Sequence, residues 1–338
     1  MPSFRSATVT EILVERDGLQ RVATDAGRAY VLTDLVGPVA AGDRVVLNTT
    51  AVDLGLGTGG WHVVHWNLAR DAWERPGPGH IMKLRYTSLQ HDAGAAEEDH
   101  PDLPSAVPGL PVVACSLHSQ VAVVAAVARH LRPDARIVYV MTDGAALPLA
   151  LSDVAHALRA RGVLDATITA GHAFGGDMEA VGVPSALALA RHVAHADLVI
   201  VGMGPGVVGT ASVLGTTAVE VAGVIDAAQR MGARVALCCR ASSADARPRH
   251  RGVSHHVRTI LGLAAVAPEV PLPAALADQV TGSTAVAGPD AATVLGDLDL
   301  VVTTMGRGPA DDPDFFAAAA AAAAWAAEAL REQGEVRQ

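Results

Sequence analysis

The residues that could do chemistry in this chain stand just after short apolar runs. Val112–Ala114 is followed by Cys115, Ser116, His118 and Ser119, and Ile137–Met141 by Thr142, Asp143 and Gly144. Ala166–Ala170 leads into Gly171, His172, Gly175, Gly176, Asp177 and Glu179. Leu198–Val201 leads into Gly202, Gly204, Pro205, Gly206, Gly209 and Thr210, and Val235–Cys239 into Arg240, Ser242, Ser243, Asp245 and the stretch Arg247–His256. Continuous apolar runs read as strands of a parallel sheet, whose carboxyl ends share one edge, where ligands bind. Polar motifs at these ends predict one common site. In it, His172 with Asp143 or Asp177 would transfer a proton, since an imidazole accepts and returns one near neutral pH.

Gly204-Pro205-Gly206-Val207-Val208-Gly209 has the spacing G-x-G-x-x-G. Glycines so placed let backbone amides approach an anion, which makes Gly204, Gly206, Gly209 and Thr210 candidate ligand-binding residues. If the ligand were a dinucleotide, Arg240, Ser242 and Ser243 after the next strand would suit the 2′-phosphate of NADP. Against this, the motif follows the fourth strand of its domain rather than the first, and helical periodicity resumes only near Thr216. Val201–Gly206 also resembles the glycine-proline loop of tetrapyrrole methyltransferases, over six residues only. A tight turn without ligand accounts for the same glycines. The cofactor therefore stays unknown.

Gly171–Glu179 combines a histidine, flexible glycines and two acids. Asp177 is expected to cap a helix beginning near Ala180 and Glu179 to favour its first turn, which leaves His172 without a packing reason. Thr142-Asp143-Gly144 fits either a plain turn or a strand-end base. Arg249 and Arg251 are placed to clamp an anion, since guanidinium groups bind carboxylate and phosphate in bidentate fashion. Ser254 is expected to cap a helix with His255 and His256 in its first turn. Adjacent helical residues point about 100° apart, so one of the pair at most should face the crevice. Cys115–Ser119 offers a thiol or hydroxyl near His118 but lacks the G-x-S-x-G elbow. No HExxH or spaced Cys/His set occurs. A metal would have to be assembled across loops from His118, Asp143, His172, Asp177, His255 and His256, and remains unknown.

Lys83 is the only lysine among 25 basic side chains. A compact, titratable amine kept against that bias is a candidate catalytic group, reaching in from a connector. The competing and simpler reading is that one leftover lysine is chance.

Elements must position these residues. Residues 1–75 read as a small all-β, barrel-like domain, with strands at Ala7–Val14, Gln20–Thr24, Ala29–Leu32, Arg44–Thr50 and Trp61–Asn67 separated by turn residues. Residues 76–110 read as a Pro-, Gly- and acid-rich connector, with a possible extra strand in Ile81–Thr87 and a solvated acidic loop over Ala93–Pro104. Residues 111–338 alternate strand and helix patterns, with helices expected at Gln120–Leu131, Pro148–Arg161, Ala180–Ala194, Thr216–Met231 and Val253–Leu263. A last strand at Leu298–Thr303 and a helix from about Pro313 to Glu332 complete them. The fold expected is α/β: the barrel-like domain, then a doubly wound, mostly parallel-sheet Rossmann-like domain.

The net charge of -10 argues against nucleic acid and anionic membranes as partners. Three cysteines, with Cys238 and Cys239 adjacent in an apolar run, imply buried free thiols. Met1–Thr10 lacks a signal-peptide pattern, and the apolar stretch around Ala317–Ala324 is broken by Glu328, so a cytoplasmic protein is expected. The alanine helix, if exposed, hints at a homodimer.

Met141–Gly144, Gly171–Glu179, Gly202–Thr210 and His250–His256 together resemble a bacterial family of unknown function, domain-of-unknown-function family 3866, over most of the chain. The resemblance implies no activity, cofactor or catalytic residue. The residues themselves favour an enzyme acting on a small anionic metabolite, phosphate-bearing or otherwise. A non-catalytic ligand sensor or assembly protein, and a metal-dependent hydrolase, stand as alternatives.

Overall fold

Alternating apolar residues close the first strands into a barrel. The computed structural model describes residues 2–57 and 59–336, in two compact units, Met1–Gly94 and Ala95–Gln338. In the first, β1 (Phe4–Arg16), β2 (Leu19–Thr24), β3 (Gly27–Leu32), β4 (Arg44–Asn48) and β5 (Trp61–Asn67) form a closed barrel in the order β1-β2-β3-β5-β4. All pairs are antiparallel except β3–β5. This is a five-stranded Greek-key barrel, and its strands fall where the alternation placed them. Val9, Val22, Ala29, Val31, Val45, Leu47 and Val64 fill it. Short helices α1 (Thr33–Val36) and α2 (Thr50–Asp53) follow β3 and β4. The Ile81–Thr87 segment contributes only a two-residue strand, β6 (Met82–Lys83), antiparallel to β7 (His91–Asp92).

The second unit is a three-layer α/β fold. Its strands are β8 (Pro111–Cys115), β9 (Ile137–Thr142), β10 (Ala166–Ala170), β11 (Met178–Ala180), β12 (Leu198–Met203) and β13 (Arg234–Cys238). They form one parallel sheet in the order β11-β10-β9-β12-β8-β13. Apart from the edge strand β11 and the first residue of β13, the strand residues are buried, as a sheet covered on both faces requires. Helices α3 (His118–Leu131) and α4 (Asp153–Ala160) lie on one face. Helices α5 (Val183–His192), α6 (Val221–Arg230) and α7 (His255–Leu263) lie on the other. After the short α8 (Ala274–Ala277), α9 (Ala291–Asp297) and α10 (Pro313–Val336) complete the first face. The fold is thus doubly wound, as expected.

Three local expectations differ from the structure. Leu298–Thr303 is not a strand: Leu300 and Val302 are buried and Val301 is exposed, giving the alternation that suggested one, but the segment lies over α3 and α4, away from any ladder. Arg161 takes the carbonyls of Leu298 and Asp299 instead. The alanine helix is not an exposed face either. Ala318–Ala323 are buried, and α10 packs on α3, α9, β8 and β13. Methyl side chains allow that close approach. The acidic stretch after Gly94 is not wholly solvated: it folds into a 3₁₀ turn, Ala96–Asp99, whose Glu97 Oε1 accepts the Val181 N–H.

The alanine helix also fixes Gly288. A Cβ there would lie 2.7 Å from the backbone C and O of Ala320. Gly288→Ala should cost about 1–3 kcal/mol by overpacking. Urea unfolding checks this; an unchanged midpoint would show that α10 yields.

Candidate functional site

The carboxyl end of β12 is a topological switch point. Its neighbours β8 and β9 leave through α3 and α4 on one face, while β12 leaves towards α6 on the other, the arrangement beside which doubly wound sheets bind ligands. The register places Gly202 level with Cys115 and Met141, and Met203 level with Thr142. A Cβ on Gly202 would lie 3.1 Å from the Cys115 Cβ and the Val121 Cγ2. A Cβ on Gly204 would lie 2.5 Å from the Ala146 carbonyl oxygen and 2.8 Å from that of Ala145. Glycine alone lets the loop after β9 lie across this strand end.

That crossing loop carries Asp143, and opposite it stands Glu220. Thr142, buried at the end of β9, donates its hydroxyl to Glu220 Oε1. Glu220 ends a 3₁₀ turn, Thr217–Glu220, that leads into α6. Burial raises the Glu220 carboxyl above its ordinary value; the Thr142 hydrogen bond opposes the shift, and the neighbouring Asp143 charge adds to it. The exposed Asp143 accepts the His172 N–H on Oδ2 at 3.0 Å. Gly171 holds the chain there in the left-handed region at φ 68°, with no room for a Cβ beside the Asp143 carboxylate. Asp143, His172, Thr142 and Glu220 therefore meet at one rim.

His118 braces the rim from below. It is buried, with Nε2 2.6 Å from Ser152 Oγ and Nδ1 3.2 Å from the Met203 carbonyl oxygen. Tyr139 donates its hydroxyl to the carbonyls of Gly202 and Met203. Burial pushes the His118 imidazole down to about 4. Ser116 Oγ bonds Gln120 Oε1, and Cys115 is buried. This Cys/Ser/His group clamps strand ends together, with both histidine nitrogens engaged.

A second polar centre follows β13. The short strands β14 (Ala241–Ser242) and β15 (Gly252–Val253) pair, and a 3₁₀ turn, Pro248–His250, lies between them. Buried Asp245 accepts Arg247 through Nε and Nη2 at 2.9 and 2.8 Å, and Arg240 at 3.3 Å. Asp312 accepts Ser242 Oγ, the Ser243 N–H and Arg307 Nε. Ser254 caps α7, accepting the His256 N–H. The rings of His250, His255 and His256 lie 4.4–5.0 Å apart, centre to centre. The two adjacent histidines thus lie against each other, and the 3₁₀ turn before them brings His250 against both. Burial, reinforced by nearby arginines, pushes His250 down to about 3 and His256 to about 4, and lowers His255.

Not every candidate joins these centres. The carboxylate of Asp177 closes the opposite end of β10: Oδ2 accepts the Thr167 N–H and hydroxyl, and Oδ1 pairs with Arg159. The expected helix cap is not formed, because the chain first adds β11 and α5 starts at Val183. Glu179 accepts from Thr169 Oγ1 and the Gly175 N–H. Lys83 is buried in the N-terminal unit, opposite His91. The glycine motif does not open a helix. Gly206 turns at φ 101°, Gly209 bridges Thr216, and Thr210 bonds Ser212 and Gly215 in an exposed excursion. Arg249 and Arg251 are exposed, and Arg251 Nε donates to the Asp245 carbonyl at 3.1 Å. The 3₁₀ turn bearing Glu220 packs against α7, which starts at His255, so the two centres are neighbours.

Glu220 and His250 are additions to the sequence-derived set. Thr217-Ala218-Val219-Glu220 fits a capping box, a pattern that directs attention to the helix end rather than to chemistry.

The fold and this rim define a doubly wound α/β protein with an N-terminal barrel. A family model described as a protein of unknown function (DUF3866) matches residues 28–323, and the chain belongs to that family. No curated protein and no solved structure matches the chain. Among the described residues, no helix is long and apolar enough to cross a membrane.

The clamp predicts a pH dependence. His118 titrates near 4 in the folded chain against 6.5 when free, so its contribution is complete above the free value and is lost as pH falls towards 4. The loss amounts to about 3 kcal/mol. Urea unfolding at pH 7 and about pH 4.5 should show a smaller drop for His118→Gln than for the wild type by that order; equal drops would contradict a buried neutral imidazole.

Proposed function

We propose that the protein is an enzyme acting on a small anionic metabolite at the carboxyl edge of the six-stranded sheet. The observation that carries this is the meeting of Asp143 with a half-buried Glu220 whose carboxyl is raised. A carboxyl raised by burial beside a second, exposed carboxyl group suits an acid/base pair. Glu220, oriented by Thr142, is the proton donor, and Asp143 is the acceptor with His172 beside it.

The anion is assigned to the arginine side of the rim. Arg249 and Arg251 stand exposed there, and the positive field that depresses the histidines comes from Arg240, Arg247, Arg249 and Arg258. The same field attracts a carboxylate or phosphate. The backbone of Gly204–Gly206, just past the end of β12, supplies amides to the ligand.

A cell metabolite extract incubated with the protein and followed by mass spectrometry tests the proposal. The wild type should deplete at least one anionic compound. Glu220→Gln should slow that depletion by roughly 10²–10⁴-fold with the fold intact. No turnover by the wild type, or full activity in Glu220→Gln, would overturn the assignment.

A further inference from the structure

We propose that His250, His255 and His256 bind a divalent transition-metal ion of the zinc class. One ligand nitrogen from each lies within 4.8 Å of the others, the only such group of three among the described residues. This goes beyond the acid pair and does not depend on it.

The donor chemistry is specific. His250 Nδ1 lies 2.8 Å from Ser254 Oγ. An ion on its Nε2 would put the ring proton on Nδ1, where the serine oxygen accepts it, the usual outer support of a ligating histidine. His255 Nε2 and His256 Nδ1 are buried with no hydrogen-bond partner among the described residues. Buried polar atoms left so cost about 1–3 kcal/mol each, and coordination would satisfy both.

Charge does not forbid a cation here. Asp245 and Asp312 offset part of the charge of Arg240, Arg247 and Arg307. Arg249 and Arg258 are exposed, and they favour an anion or hydroxide as the fourth ligand. Three imidazoles without a carboxylate suit zinc, cobalt, nickel or copper and not magnesium or calcium. Three protein ligands with one open position are the pattern of a reactive metal rather than a purely structural one.

The test uses the full chain, stripped by chelator and dialysed, then titrated with Co²⁺ by visible absorption and with Zn²⁺ by calorimetry. We expect saturation at one ion per chain, cobalt bands of a four-coordinate site, and displacement of cobalt by zinc. His255→Ala should weaken binding by at least about 100-fold, while exposed His156→Ala leaves it unchanged. Circular dichroism reports the fold of each variant. Should His255→Ala unfold, the cobalt protein itself decides: three exchangeable, paramagnetically shifted imidazole proton signals support the site, and fewer overturn it. No saturable binding up to about 1 mM, or undiminished affinity in folded His255→Ala, overturns it as well.

Discussion

The end of β12 depends on close approach at two glycines. A Cβ on Gly202 would crowd Cys115 and Val121, and one on Gly204 would collide with the carbonyls of Ala145 and Ala146. Because of this, the amino end of α3 comes close enough for His118 to reach the Met203 carbonyl, and the loop after β9 crosses the strand end. The crossing sets Asp143 beside Gly171, and Thr142 at the reach of Glu220. A side chain at either glycine would push apart the elements that carry the rim. The glycine-rich signature is thus first a packing device. Its later part, from Gly206 to Thr216, is an exposed excursion that does not open a helix.

Two polar centres grow from this arrangement, and they differ in how charge is handled. At Glu220, burial and the nearby Asp143 charge raise the carboxyl above its ordinary value. At His250, His255 and His256, burial and arginines together favour the neutral form. The arginines beside the second are held by Asp245 and Asp312, whose carboxylates also fix the loop from Arg240 to Val253. Both centres border the segment that leaves β12, which is where a doubly wound sheet exposes backbone to a ligand.

Much of the fold was legible because period and burial agree. The barrel strands alternate, and the sheet strands are continuous apolar runs. Leu298–Thr303 deceived because an extended segment lying over helices alternates just as a strand does. The alanine helix looked exposed because small side chains give no sign of what they pack against. In the site, Asp143 and His172 were legible as strand-end residues. Asp177 was misplaced because its loop runs back along β10 before β11, which spacing cannot reveal. Glu220 was hidden in a capping pattern, and His250 was set apart from the other histidines only by a turn whose geometry the sequence does not state.

The account depends most on Glu220 and Asp143 sharing one electrostatic environment. Carbon-13 NMR titration of the Glu220 carboxyl, in the wild type and in Asp143→Asn, measures this directly. The account predicts that Glu220 titrates above ordinary glutamates and moves down when the Asp143 charge is removed. An ordinary titration that ignores the substitution would contradict it.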